Sequence, residues 1–259
     1  MTHYDNKKYN LSILAIFKNE MMNLKVWLDH YLKQGVNHFY LIDNDSNDNP
    51  MNLLDDYINK ELVTYIFTSG KHRQVEYYRN VFKKYNLNQT TKWLAVCDID
   101  EFYFGTNKKL SDFLKDNEAK YDVIKSNWLM FGSSNFINHP DNILTSMCYR
   151  SNLIHPNTKY IFKTSSLQNI NSIDIHELKG FQPRSRILME NNLIHLNHYP
   201  IQSVEYFQKI KMTRGACDWI GHENVRDMEY FRSYDDNSIL DTTLKNLIIS
   251  GYNYIPSAL

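Results

Sequence analysis

Four apolar runs of strand length recur in the first hundred residues, and each leads into helical spacing or a polar turn. Residues 11–17 (LSILAIF) precede Leu24, Trp27, Leu28, Tyr31 and Leu32, apolar positions at helical intervals that stop at Gly35. Residues 36–42 (VNHFYLI) run into the turn-rich DNDSNDNP of 43–50. Residues 53–58 then read as a short helix, 62–67 (LVTYIF) as a third strand and 75–85 as another helix. Residues 93–97 (WLAVC) form a buried strand that delivers Asp98-Ile99-Asp100-Glu101-Phe102 to its carboxyl end. Strands alternating with helices demand right-handed crossovers, so the expected fold is α/β, a single domain with a mostly parallel central sheet flanked by helices. In such sheets ligands bind beyond the carboxyl ends of the strands, where both acidic turns fall.

The second half is less regular. Residues 123–131 read as a strand, 187–196 contain another, and 203–214 (SVEYFQKIKMTR) form an amphipathic helix ending at Gly215. No repeat or low-complexity linker marks an internal boundary. The expected organisation is a polar tail over 1–10, one domain over 11–245 and a C-terminal tail over 246–259.

With 259 residues the chain can bury one large core. Its 29 Lys and Arg against 29 Asp and Glu exclude the bulk positive field of a nucleic-acid binder, so any phosphate must be met by local groups. Cys97, Cys148 and Cys217 are widely spaced and odd in number, which indicates neither a disulfide framework nor a zinc knuckle and fits a reducing cytoplasm. No stretch approaches the ~20 apolar residues of a transmembrane helix. Peripheral contact at the inner face of a membrane stays compatible with a lipid-linked acceptor.

The acidic run DIDEF carries the sharpest chemistry. Residues two apart at a strand end, where the backbone leaves the sheet, can both face a cleft and hold a hard cation against a nucleotide-sugar diphosphate. Asp100 would then touch the cation directly, while Asp98 reaches it through water or holds a ribose. The bland reading is that the pair caps the next helix. DNDSND after the second strand suits the edge of a nucleobase or a plain surface turn. Asn19-Glu20 follows the first strand, so three polar turns share one edge of the sheet.

These residues carry a resemblance. Phe17-Lys18-Asn19-Glu20, Trp27-Leu28, His30-Tyr31, Gly35-Val36, residues 40–48 (YLIDNDSND) and 93–102 (WLAVCDIDEF) resemble the family 92 glycosyltransferases and the related family 2-like group. The match continues through 128–134 (WLMFGSS), His198-Tyr199 and the helix bearing Lys209, Lys211, Arg214 and Gly215, from about residue 11 to about 241. The resemblance implies a GT-A fold, divided near residue 105 into a nucleotide-sugar-binding half (11–105) and an acceptor-binding half (106–245). It further implies a nucleotide-sugar donor, commonly UDP-linked, a Mn2+ or Mg2+ cofactor, inversion at the anomeric carbon and a glycan or glycolipid acceptor. By position, Asp98, Asp100 and His198 are metal candidates, and Asp43 with Asn44 and Asp45 lies where the base is held. Lys18, Asn19, Glu20, Gln74, Arg79, Lys209, Lys211 and Arg214 are candidate donor contacts. Trp128, Phe131, Gly132, Ser133 and Ser134 are expected to shape the acceptor side.

Two departures from the family pattern matter. A Lys-Ser pair that often follows the HY motif is Gln202-Ser203 here, so Lys209, Lys211 or Arg214 must supply the diphosphate charge. The base turn has Asp43-Asn44 where many relatives carry two aspartates. Inversion needs a base at the acceptor hydroxyl; Asp218, His176, Glu177 and Glu223 are eligible, with Asp218 favoured. The rival readings are an inactive GT-A-like binding domain and a metal-dependent phosphoesterase or nucleotidyltransferase.

Overall fold

Strand β1 (Tyr9–Phe17) is apolar without alternation because both of its faces are covered. Leu11, Ile13, Ala15 and Phe17 join one core cluster, while Leu14 and Ile16 join a second on the opposite face. The same split recurs in β2 (His38–Asn44) and β4 (Thr91–Val96), with Phe39, Leu41, Trp93 and Ala95 on the first face and Tyr40, Ile42, Leu94 and Val96 on the other. Helix α1 (Met21–Lys33) packs Leu24, Trp27, Leu28 and Tyr31 against the first face and ends before Gly35, whose φ of +87° is the left-handed conformation expected there.

This computed structural model describes residues 7–214 and 226–254. After β2 come α2 (Met51–Asn59), β3 (Val63–Thr68), α3 (Gln74–Lys84), the one-turn α4 (Leu87–Thr90) and β4. Then follow β5 (Glu101–Gly105), α5 (Leu110–Asn117), β6 (Val123–Phe131), α6 (Ile143–Ser146) and β7 (Tyr149–Lys163). The chain continues with β8 (Ile187–Met189), β9 (Ile194–His198), α7 (Val204–Lys209), α8 (Met228–Tyr234), β10 (Ile239–Leu240) and α9 (Thr243–Ile249).

One sheet runs in the order β3-β2-β1-β4-β7-β6-β9-β5, with β8 paired to β6 and β10 to β7. β3, β2, β1 and β4 are parallel, as expected. Beyond β4 the sheet becomes mixed, because the long β7 runs antiparallel to both β4 and β6, and β5 runs antiparallel to β9. The amphipathic helix expected over 203–214 is interrupted. α7 stops at Lys209, Ile210 is distorted within the helical region (φ −116°, ψ −60°), and a 3₁₀ turn at Lys211–Thr213 redirects the chain. Part of the expected C-terminal tail is built into the fold, since α9 buries Leu247, Tyr252 Oη pairs with His30 Nδ1, and Gln34 donates to Tyr254 Oη. No helix among the described residues is long and apolar enough to cross a membrane.

Candidate functional site

Residues 98–101 form a tight turn between β4 and β5. Glu101 N donates to Asp98 O at 3.1 Å, and the Glu101 carboxylate accepts from Asp98 N at 2.9 Å. The Trp27 indole N–H, projecting from α1, donates to both Asp98 O and Glu101 O at 3.0 and 3.1 Å. Strand β9 closes the other side: Glu101 stands opposite His198, and Tyr199 N donates to Asp100 O at 2.9 Å. The acidic run and the HY motif, a hundred residues apart, thus meet as neighbouring backbone.

The side chains then divide. Asp100 is buried, with Lys211 Nζ 2.6 Å from Oδ2 and His198 Nε2 3.6 Å from Oδ1. Burial alone would raise its pKa, but Lys211 and His198 outweigh that and hold the carboxyl well below the usual carboxylate range. Asp98 turns to the other flank, where Lys159 Nζ lies 2.7 Å from Oδ2 and Gln74 donates to Oδ1 at 3.3 Å. Lys159, on β7, is wholly covered and also lies 3.5 Å from Glu101 Oε2. Its desolvation is more than offset by Asp98 and Glu101, which keep it charged. Burial pushes Glu101 up to about 7, against the downward pull of Lys159. Each aspartate is therefore already compensated by a lysine, and the electrostatic cost that would argue against a purely structural acidic pair is largely absent.

A third pair completes the network. Glu20 is buried at the end of the β1 turn, ion-paired with Arg214 and bonded to Tyr206 Oη at 2.7 Å, while Arg214 also donates to Lys18 O. The Lys211 ammonium lies 5.7 Å from the Tyr206 ring centroid. Glu20, Gln74, Asp98, Asp100, His198, Lys211 and Arg214 are thus linked through one network, although they were read from separate motifs. Lys159 was not anticipated. Its signal was a lone charge heading the apolar stretch 159–162 (KYIF), in a strand the sequence did not reveal.

Other candidates are placed differently. Asp43 is spent on its own turn, accepting from Ser46 N at 2.8 Å and Tyr65 Oη at 2.7 Å. Asn19 N donates to Ser46 Oγ and Asn19 Oδ1 accepts from Asn47 N, which stitches the first two strand-end turns together, and Lys18 pairs with the exposed Asp45 at 3.3 Å. Asn44 lies half-buried at the end of β2. Arg79 clamps the carbonyls of Asn171 and Ile173, and Lys209 pairs with Glu205 at the surface. Their donors are taken up by loop carbonyls and by a helical neighbour, outside the network of the acidic turn.

The 131–134 segment is packed against the rest of the fold. Phe131 is buried and stacks on Tyr199 at 4.7 Å, so it offers no face to a ligand. A Cβ on Gly132 would meet Asn237 Oδ1 at 2.5 Å and Asp236 O at 2.9 Å. Ser133 N donates to Asp235 and Ser134 N to Asn237, so the glycine and both serines lock this loop against 235–237. Trp128 does border the site, with its ring 4.3 Å from His198 and 5.2 Å from both His155 and His176. Glu177 is half-exposed beside Lys125 at 3.5 Å. Asp218 and Glu223 lie outside the described residues.

Among the described residues no group of three or more His, Cys, Asp or Glu is arranged to hold a metal ion, so Asp98, Asp100 and His198 do not form a three-ligand site. The smaller set fits a cation better. Asp100 Oδ1 and His198 Nε2 are 3.6 Å apart, near the spacing of adjacent donors on one ion, and His198 Nδ1 has no hydrogen-bond partner among the described residues. Neither of two surface grooves, about 460 Å³ between β3 and α3 and about 740 Å³ at the end where β1 and β4 begin, includes a residue of the acidic turn.

The chain is 22% identical to glycosyltransferase family 92 proteins of Oryza sativa subsp. japonica and Ricinus communis, covering 86% and 85% of this chain. It spans only 39% and 41% of those relatives' lengths. Among solved structures, S. aureus TarS 1-349 in complex with UDP-GlcNAc is similar at a TM-score of 0.48 and 14% identity, covering 76% of this chain and 60% of TarS 1-349. GalNAc-T7 with UDP, GalNAc and Mn2+ is similar at 0.47 and 13% identity, covering 98% of this chain and 60% of the other. Likeness at that level assigns no residue a role. The profile of glycosyltransferase family 92 matches residues 9–247, and the chain therefore belongs to that family.

Proposed function

We propose that the chain transfers a single sugar from a nucleotide-sugar donor, UDP-linked, to a hydroxyl of a glycan or glycolipid, with inversion and with a divalent cation, Mn2+ or Mg2+. The observation that carries this reading is the convergence of Asp100, His198, Lys211 and Arg214 beyond the end of a buried parallel strand, in a chain of family 92. Asp100 and His198 are the residues that would hold the cation. When bound, it would act as a Lewis acid that neutralises charge on the departing diphosphate.

The protein's own groups define the rest. Asp98, fixed between Lys159 and Gln74 and partly open to solvent, is suited to accept from a ribose hydroxyl. Lys211 and Arg214 supply positive charge to the diphosphate. The acceptor oxygen attacks the anomeric carbon as the carbon–oxygen bond to phosphate breaks. The hydroxyl proton passes to a base, Asp218 or the alternatives His176 and Glu177, and Trp128 lies beside His176 on the acceptor side.

A thermal-shift screen of nucleotide sugars with and without MnCl2 tests the proposal. Stabilisation grows with occupancy, reaching about 2.7 kcal/mol at a hundredfold excess over Kd. One UDP-sugar should raise the melting temperature only with Mn2+, and Asp100→Asn should lose both that shift and transfer. Full transfer by Asp100→Asn would refute the cation role; absence of any shift across the screen would refute the donor class and favour the inactive reading.

A further inference from the structure

Of the two lysines that compensate the acidic turn, only one is placed to be exchanged. Lys159 is wholly covered and shared between Asp98 and Glu101. Lys211 holds a single carboxylate, at 2.6 Å from Asp100 Oδ2, and its other near contact is the Tyr206 ring. Lysine carries a compact charge on a stem with several rotatable bonds, so its ammonium can move to a new acceptor while the backbone stays in place.

That position has a consequence for any cation. Asp100 and His198 offer two donors, and the described residues provide no third within one group. A hard divalent ion takes six or more oxygen or nitrogen ligands, so most must come from water or substrate. Without nucleotide, an ion approaching Asp100 also meets the Lys211 ammonium on the same carboxylate and is repelled by it. A diphosphate brings the missing oxygens and gives the ammonium another anion to bind.

From this arrangement we infer that Lys211 is an internal counter-ion that makes divalent-cation binding conditional on the nucleotide diphosphate. It keeps Asp100 paired in the empty protein and passes to a phosphate oxygen when donor and cation arrive together. Because coupling between two ligands is reciprocal, the cation tightens nucleotide binding by the same factor. The inference rests on the reading of Asp100 and His198 as cation ligands.

Isothermal titration with MnCl2, in the absence of nucleotide and in saturating UDP, tests it on the wild type, Lys211→Met, Lys211→Gln and Lys211→Arg. UDP should tighten Mn2+ binding to the wild type at least tenfold. Both neutral variants should bind Mn2+ without UDP at least tenfold more tightly than the wild type and gain less from UDP, while Lys211→Arg should behave as the wild type. Circular dichroism checks folding, and Lys211→Gln preserves a polar partner for Asp100 should the methionine variant fail to fold. If the wild type binds Mn2+ with UDP but the neutral variants bind the bare ion no more tightly, the counter-ion role is overturned alone. If the wild type binds no Mn2+ even in saturating UDP, the cation site falls and takes this role with it.

Discussion

Replacing Lys159 by methionine removes a cation that faces two carboxylates at once, those of Asp98 and Glu101. Glu101 is fully buried, and its Oε1 has no hydrogen-bond partner among the described residues. The Asp98 side chain retains about a third of its exposure and the Gln74 contact, so it can turn toward water. Removing one member of a buried ion pair costs about 3–5 kcal/mol. The lower end applies here, because Glu101 already sits at about 7 and, freed from the pull of Lys159, takes up a proton at neutral pH. The expected loss is therefore about 3 kcal/mol, or a fall in Tm of about 6–12 °C for a chain of this size. Urea unfolding at pH 7 measures it, and adding Glu101→Gln to the variant should restore about 1–2 kcal/mol, since the neutral amide needs no proton uptake on folding at pH 7. A Lys159→Met protein within about 0.5 kcal/mol of the wild type would refute the argument that this ammonium holds the acidic turn together.

Other expectations follow from the same geometry. With a folded value of about 7 against an ordinary 4.5, Glu101 binds its proton more firmly folded than unfolded, so its favourable contribution is fully present below pH 4.5 and is lost as pH rises to 7. Glu101→Gln should flatten that part of the stability profile by about 3 kcal/mol, measured by urea unfolding at pH 4.5 and 7.5; an unchanged slope would show that another group sets it. Trp27→Phe removes the donor shared by Asp98 O and Glu101 O and should cost about 1–3 kcal/mol and lower transfer at least tenfold, read by unfolding and initial rates. Gly132→Ala forces a methyl group against Asn237 Oδ1 and Asp236 O and should destabilise by about 1–3 kcal/mol in denaturant unfolding.

The parallel half was legible because two-sided burial writes unbroken apolar runs, as in residues 93–97, and because polar turns must follow where the chain leaves the sheet. β7 was hidden by the opposite circumstance. All of its first nine residues are exposed or half-exposed, so neither a continuous run nor clean alternation marks it, and its key side chain is a lysine. The motifs single out Asp98, Asp100, His198, Lys211 and Arg214, but residue spacing gives no sign that each acid faces its own cation. Helical periodicity over 203–214 concealed the break at Ile210, which lets Lys211 turn inward to Asp100 rather than continue along the helix face. Phe131 and Gly132 looked ligand-facing because aromatic and small residues suit sugars; the same properties serve tight packing against Tyr199 and Asn237.

The short turn from β4 to β5 joins a strand inside the sheet order to the one at its end, and β5 is paired by β9 rather than by β4. The acidic turn, although it lies in the amino-terminal part of the chain, is thus completed by β7, β9 and the segment after α7. Such a protein is poorly suited to recombination: grafting a new carboxyl-terminal half to change acceptor choice would also remove Lys159, His198 and Lys211. New specificities in this architecture should therefore arise by altering surface loops one at a time rather than by exchanging halves.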